Sequence, residues 1–217
     1  MRLALPLLLI GCTQRPAEPT SRELLGRGAL SLNWERPVIL LMLDDLDQDT
    51  FSNALTGEIL PNIKTHLVDK GVTFSNSFAV NSWCCPSRAA TASGQMPHNC
   101  GTFHNEDPLT NWTTWEASNV SMFEHLDARG YETGFFGKWL NGYDSGHTTK
   151  ANGLDYWAAL YNEESTYAQT SCTWRIIDHG AAQVDTACAD PDGAGSLESY
   201  QADDMSIRAR NFIRAQS

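Results

Sequence analysis

The amino-acid sequence predicts an α/β fold, with a mostly parallel sheet flanked by helices. Strand-like apolar segments alternate with helix-like segments between residues 38 and 140, which is typical of this class. The apolar run at residues 38–43 is continuous rather than alternating, as expected of a parallel strand covered on both faces. The composition, 41% hydrophobic and 19% charged, is that of a globular protein rather than a disordered one.

The first elements follow this strand directly. The apolar run at 38–43 ends at Asp44 and Asp45, and in open α/β sheets ligands gather beyond the carboxyl ends of the strands. Residues 60–70 have apolar side chains at helical spacing and predict a helix. Residues 72–80 alternate apolar and polar positions and predict a short strand.

The later elements have clearer boundaries. Pro86 favours the first turn of a helix, and Ser121–Glu124 has the pattern of a capping box at the start of another. The apolar segment at 131–139 predicts a strand that leads to a lysine. Residues 151–200 indicate mostly loop with short strands, and residues 201–214 predict the last helix.

The N-terminal segment predicts export. Residues 1–11 have one arginine and then an apolar run too short to span a bilayer, which indicates a signal peptide. The sequence Leu-Ile-Gly-Cys that ends at Cys12 resembles the lipobox of bacterial lipoproteins, in which that cysteine carries lipid. The alternative is a plain secretory signal in which Cys12 is incidental. Residues 12–35 then form a tether rich in proline and glycine, and residues 36–217 form the folded part.

An exported protein can form disulfides. Apart from Cys12, five cysteines remain, so at least one of them is left unpaired or serves another purpose. Cys172 and Cys188 are close enough in sequence to close a loop. Cys85 with Cys100 is a second candidate pair.

The net charge and the spacing of the histidines argue against two function classes. A net charge of −11 is unsuited to nucleic-acid binding, which needs a basic face. The six histidines lack the spacing of metal ligands, which disfavours a zinc hydrolase. Asp178 and His179 superficially resemble a metal motif, but they are interpreted as a loop because no asparagine partner follows.

One motif carries the strongest chemical signal. Cys84-Cys85-Pro86-Ser87-Arg88 matches the Cys-x-Pro-Ser-Arg signature, and the chain resembles the type I sulfatases of the alkaline-phosphatase-like superfamily. The resemblance implies that Cys84 is oxidised to formylglycine, whose hydrated aldehyde is the nucleophile, and that Arg88 stabilises it. The alternative is a pair of buried thiols at the start of a helix.

Further segments extend the resemblance over residues 36–214. Asp44-Asp45 resembles the aspartate pair with which sulfatases bind one Ca²⁺, with the group at position 84 as a third ligand. The Gly-Lys-Trp segment places Lys138 as a sulfate-contacting lysine, and Gly153–Trp157 resembles a Gly-x-Asp-x-Trp motif. Together they are most similar to the glucosamine-6-sulfatase and heparan 6-O-endosulfatase branch.

Two of the departures of the chain from the family affect the predicted site most. The converting enzyme, which the resemblance implies as a partner, reads a Leu-Thr-Gly sequence that here is Ala92-Ser93-Gly94. Sulfatases also supply calcium ligands from a downstream Asp-Asn pair, which this sequence lacks. The expectation is therefore the N-terminal part of a sulfatase catalytic domain, incomplete at the C-terminal side.

The predicted function is hydrolysis of a sulfuric ester, either a sulfated carbohydrate or an aryl sulfate. The alternative is an inactive, sulfatase-like surface lipoprotein that binds a sulfated glycan. A phosphatase of the same superfamily would place serine or threonine at the nucleophile position, and Cys84 speaks against it. The expected location is the periplasm or the cell surface, or the medium for a plain secretory signal.

Overall fold

The structure is a computed structural model that describes residues 10–14, 36–105, 112–143, 149–160, 173–187 and 201–216. The strands are β1 (Ile10–Gln14), β2 (Val38–Ile39), β3 (Tyr131–Lys138), β4 (Tyr156–Leu160), β5 (Thr173–Asp178) and β6 (Val184–Ala187). The helices are α1 (Gln48–Thr56), α2 (Pro61–Ile63, continued as a π-helix over Lys64–Val68), α3 (Cys84–Ser93), α4 (Pro97–Cys100), α5 (Trp112–Ser118), α6 (Met122–Asp127) and α7 (Gln201–Ala215). Within these ranges, no helix has the length and apolar character to cross a membrane.

The strands form one sheet in the order β2-β1-β3-β4-β5-β6. The predicted α/β class, with helices packed on a sheet, is confirmed, but the sheet is mixed rather than mostly parallel. β3 and β4 are parallel, whereas the other four pairings are antiparallel. The lengths of two connections account for their pairings: residues 139–155 are long enough for a crossover between β3 and β4, whereas residues 179–183 allow only a hairpin between β5 and β6.

The first predicted strand differs most from the structure. Only Val38 and Ile39 of the run at 38–43 are paired, and both are about half exposed. β1 lies between them and β3, so the run is at the sheet edge, and Leu40 and Met42 are only partly buried against the core. The prediction of a fully buried strand of the parallel type is therefore wrong, since β2 is exposed and antiparallel to β1.

β1 itself comes from residues expected outside the folded part. Its first two residues close the expected signal peptide, and Cys12 opens the expected tether, yet the backbone of Cys12 is paired with both Val38 and Thr133. Cleavage before Cys12 would remove Ile10 and Gly11 from this strand. The domain boundaries themselves remain a prediction.

Most of the other predicted elements are present. The helices expected near 60–70, at Pro86 and at 201–214 are formed, and Ser121 and Glu124 make the reciprocal bonds of a capping box at α6. The strand expected at 72–80 is not formed. Its large apolar side chains are exposed, and no strand is paired with it in the described part of the chain.

The core has two halves, one on each face of the sheet. Successive residues of a strand point to opposite faces, so Phe135 and Trp157 belong to one half and Phe136 belongs to the other. α6 covers the first face, with the rings of Phe123 and Phe135 6.3 Å apart. α7 covers the second face through Phe212. β3 is therefore covered by α6 on one face and by α7 on the other.

A partly buried carboxyl group, that of Glu116, joins α5 to the loop before β4. Burial raises the pKa of Glu116 to about 7, and the negative charge of Glu124 adds to this rise. The opposing influences are the backbone N–H of Asn152, which donates to the Glu116 carboxylate, and the charge of Lys150.

This raised pKa predicts a pH dependence of stability. The folded state favours the protonated Glu116 carboxyl, because its folded-state pKa lies above the unfolded value near 4.5. This preference contributes its full stability below pH 4.5, and the stability is lost as the pH rises through about 7. We expect Glu116→Gln to remove this loss, so that the unfolding free energy at pH 8 rises by roughly 1–2 kcal/mol relative to the parent. Urea unfolding of both proteins at pH 5 and pH 8 measures it, and an equal pH dependence in the two proteins would contradict it.

Candidate active site

Three segments far apart in sequence meet at the carboxyl end of β3. Lys138 is the last residue of β3, Cys84 is the first residue of α3, and Asp44 follows the run at 38–43. Arg88, one turn into α3, also faces this point. The structure therefore brings together the predicted site residues from all three segments.

Asp44 is the centre of the polar contacts. Its Oδ1 lies 3.1 Å from Nη2 of Arg88, and its Oδ2 accepts a hydrogen bond of 3.0 Å from Nζ of Lys138. Arg88 also donates from Nη1 to the backbone carbonyl of Lys138 at 2.5 Å. One carboxylate and one carbonyl thus hold two cationic side chains beside each other.

The ionisation of these groups follows from their neighbours. Burial alone would raise the pKa of Asp44, but the charges of Arg88 and Lys138 outweigh it and lower that pKa below 3.8. Burial likewise opposes the charge on Lys138, and Asp44 outweighs it and raises the pKa of the lysine. At neutral pH the site therefore holds a carboxylate and two cations.

The start of α3 is fixed by side chains from outside the helix. Trp83 is the N-cap residue but makes no side-chain capping bond. Asn105 supplies one instead, because its Oδ1 accepts the backbone N–H of Cys85 at 2.9 Å. Asn105 could not be predicted from the sequence, since a cap 20 residues downstream has no local pattern that would reveal it. Its position beside Cys84 makes it part of the site's framework.

The neighbouring cysteines have different surroundings. Cys84 is partly exposed, whereas Cys85 is fully buried in the core. Burial raises the pKa of the Cys85 thiol to about 11, so it stays protonated. Cys100 is a buried free thiol in α4, and the disulfide considered between it and Cys85 is not formed. Cys172 and Cys188 lie outside the described residues.

The end of β3 needs a glycine before the lysine. Gly137 has φ +122°, and a Cβ there would lie 3.2 Å from Sδ of Met205 on α7. A larger residue would strain this turn of the backbone and disturb the packing of α7. Glycine at position 137 therefore allows the strand to pack against α7 at the point where the next residue, Lys138, reaches Asp44.

A cleft of ≈ 170 Å³ opens beside these residues, and Asp44, Asp45, Cys84, Ser87 and Arg88 line it. One ligand atom from each of Asp44, Asp45 and Cys84 lies within 4.8 Å of the others, so these three could hold a metal ion together. Asp45 has φ +52°, a left-handed conformation in which a non-glycine residue is uncommon. This backbone brings two successive carboxylates to one cleft.

A second group of acids and a histidine lies at the other end of the sheet. Asp178 is the last residue of β5, and His179 is in the turn that follows, so the loop interpretation holds only for His179. Glu132, Asp155 and His179 have ligand atoms within 4.8 Å of one another. This group could not be predicted from the sequence because its members come from three separate segments.

Comparison with known proteins agrees with the geometry. A family model described as "Sulfatase" matches residues 36–212. The chain belongs to the sulfatase family. Among solved structures, none matches the chain significantly.

Curated relatives of this sulfatase chain come from several animals. It is 31% identical over 163 residues to the extracellular sulfatase SULF-1 homolog of Drosophila melanogaster, which covers 74% of the chain and 14% of that protein. It is 31% identical over 165 residues to N-acetylglucosamine-6-sulfatase of Homo sapiens, with 72% and 29% covered. It is 36% identical over 132 residues to arylsulfatase K of Danio rerio, with 58% and 23% covered.

These matches confirm the family that the motifs around Cys84 indicated. Two of the relatives carry the names of the branch that the resemblance favoured. The sulfatase chain spans less than a third of the length of each of these three relatives.

Proposed function

We propose that this protein hydrolyses sulfuric esters, with Cys84 as the precursor of the nucleophile. The observation that carries the proposal is the meeting of Cys84 with Asp44 and Arg88 at one cleft, where Asp44 also pairs with Lys138, in a chain of the sulfatase family. Hydrated formylglycine at position 84 would supply one oxygen that bonds to sulfur as the bond from sulfur to the alcohol oxygen breaks. Its second hydroxyl would then lose its proton and expel the sulfate, which restores the aldehyde.

The cations of the site suit a sulfate group. Arg88 presents a planar set of donors and Lys138 a compact charge, and both are already placed by Asp44. Preorganised cations beside the reacting group stabilise the charge that develops in the transition state, because they need no rearrangement. The protein's −11 net charge makes such local cations necessary for an anionic substrate.

The donor atoms also fit a calcium ion. Ca²⁺ takes oxygen ligands, and Asp44 and Asp45 each offer a carboxylate. The sulfur of an unmodified Cys84 is a poor ligand for such a hard ion, whereas an aldehyde hydrate offers oxygen. Conversion of Cys84 would thus complete three oxygen-bearing positions around one point. An ion there would help to offset the charge of a bound sulfate.

The substrate class and location are further parts of the proposal. The names of the matched relatives support a sulfated carbohydrate as substrate, with a small aryl sulfate as the alternative. The extracellular designation of one relative supports export. Lipid attachment at Cys12 is supported by its Leu-Ile-Gly-Cys context.

Mass spectrometry of the nucleophile peptide tests the proposal. The protein is produced together with a formylglycine-generating enzyme, alkylated and digested with trypsin, which releases residues 71–88 as one peptide. We expect one alkylated thiol, on Cys85, and an aldehyde or its hydrate at Cys84. The same preparation should release sulfate from 4-nitrophenyl sulfate or N-acetylglucosamine 6-sulfate. The rate of this release should fall after treatment with EGTA and recover when Ca²⁺ is added.

The control is a known sulfatase produced in the same cells, which shows that the converting enzyme works. If the control is converted while the 71–88 peptide carries two alkylated thiols throughout, Cys84 is not a formylglycine precursor and the proposal fails. Conversion without sulfate release, together with calorimetric binding of sulfated oligosaccharides, would instead support the inactive glycan-binding protein.

A further inference from the structure

We propose that Glu132, Asp155 and His179 form a second metal site, for a transition-metal ion such as Zn²⁺. Glu132 is the second residue of β3, Asp155 immediately precedes β4, and His179 immediately follows β5. Their ligand atoms lie within 4.8 Å of one another. Glu132 and Lys138 are six residues apart on β3, so this site is roughly 20 Å from the sulfatase cleft.

The imidazole of His179 is oriented as a metal ligand would be. Its Nδ1 contacts the carboxylate of Asp178, and its Nε2 contacts the carboxylate of Glu132. Histidines that bind metals commonly donate the N–H of one ring nitrogen to a carboxylate, which leaves the other nitrogen for the ion. Asp178 therefore directs Nε2 towards the group formed by Glu132 and Asp155.

The two carboxylates are held in place by the sheet. Asp155 Oδ2 accepts hydrogen bonds from the backbone N–H of Thr133 at 3.0 Å and from its hydroxyl at 3.1 Å. The backbone N–H of His179 donates to the carbonyl of Asp155 at 2.8 Å, which ties the two ligand-bearing segments together. The Glu132 side chain is only 8% exposed and is directed at the ring.

The charge of the group favours a divalent cation. Carboxyl groups of Glu132, Asp155 and Asp178 surround one imidazole, so ionised carboxylates leave a net negative charge whether or not the ring is protonated. Burial of Glu132 makes an unbalanced charge costly. A divalent ion would offset two negative charges where a proton on the ring offsets one.

The donor types select the class of ion. One imidazole nitrogen with two carboxylate oxygens suits Zn²⁺ and similar transition metals. Ca²⁺ prefers oxygen ligands alone, which describes Asp44 and Asp45 rather than this group. The two ends of the sheet would therefore discriminate between the two ions, and bound zinc would tie together the ends of β3, β4 and β5.

Zinc binding to the full chain tests the site. The Cys84→Ala variant serves as the parent, so that no thiol in the cleft binds zinc. We expect this parent to bind one more equivalent of Zn²⁺ in calorimetry than the same protein with His179→Ala. Zn²⁺ at about 100 times its Kd should raise the Tm of the parent by roughly 5–10 °C, and His179→Ala should remove this rise.

Two further variants make the result decisive. Asp45→Asn in the same parent should leave the zinc equivalent intact, because it lies in the other cleft. Asp178→Asn keeps every proposed ligand and should weaken zinc binding by about 10–100-fold, because it loosens the orientation of the ring and removes one nearby negative charge, so it decides the question even if His179→Ala does not fold. Absence of zinc binding to the parent, or equal binding with and without His179, would overturn the proposal.

Discussion

Cys84→Ala is expected to lower the rate of sulfate-ester hydrolysis by at least about 10³-fold, because it removes the precursor of the nucleophile. The alanine keeps the start of α3 intact, since Asn105 binds the backbone N–H of Cys85 rather than the Cys84 side chain. The loss should therefore be in catalysis and not in folding. Steady-state release of 4-nitrophenol from the aryl sulfate measures it, with far-UV circular dichroism as the check on structure.

Cys85→Ala is the matched control for this variant. It removes the same thiol one residue away, but from a fully buried position whose pKa of about 11 keeps it unreactive. We expect nearly unchanged kcat/KM and a loss of about 1 kcal/mol or more in unfolding free energy, from the small cavity. The reverse pattern, with activity lost in Cys85→Ala and kept in Cys84→Ala, would show that the nucleophile comes from Cys85 and not from Cys84.

The residues of the cleft could be predicted from the sequence because each stands in a short motif. Asp44, Cys84, Arg88 and Lys138 come from segments whose residue types and order are typical of the family. Their contacts could not be predicted in the same way. That Asp44 would hold both cations follows from the position of α3 beside the end of β3, where Arg88 donates to the carbonyl of Lys138, and no local pattern encodes this position.

The sheet shows the same limit more strongly. An apolar run such as 38–43 predicts a buried strand wherever it lies, but its depth in a sheet depends on which segment pairs beside β3. In the structure that segment is Ile10–Gln14, which the sequence indicates as part of a signal peptide and tether. β5 and β6 are joined by a hairpin, and its short connection makes them antiparallel, whereas the sequence predicts a mostly parallel sheet.

Local signals succeeded where the stabilising contacts are themselves local. The capping box of α6 is made by residues three apart, and Pro86 lies in the first turn of the helix it favours. Asp47 shows that such signals are also easily overlooked. Its Oδ1 accepts the backbone N–H groups of Asp49 and Thr50 at 2.9 Å each, which starts the unpredicted α1.

Trp157→Ala is expected to lower the unfolding free energy by about 3–5 kcal/mol, the usual cost of removing a buried tryptophan ring. Trp157 is fully buried and stacks on Phe135 at 4.8 Å, with Trp139 and Tyr143 in edge contacts. Its Nε1–H donates to the Tyr143 hydroxyl at 2.8 Å. Truncation therefore leaves a large cavity and deprives a buried hydroxyl of its donor.

Urea unfolding followed by circular dichroism compares this variant with two controls. Trp83→Ala removes the same ring from a position that is 46% exposed, and should cost less than about 1 kcal/mol. Trp157→Phe keeps most of the ring and loses the hydrogen bond, so it should cost roughly 1–3 kcal/mol and stay measurable if the alanine variant does not fold. Equal costs at positions 83 and 157 would contradict the packing of the core. The graded result would assign the tryptophan of the Gly-x-Asp-x-Trp segment to stability, because its ring lies in the core beneath β3 and β4 and not in the cleft.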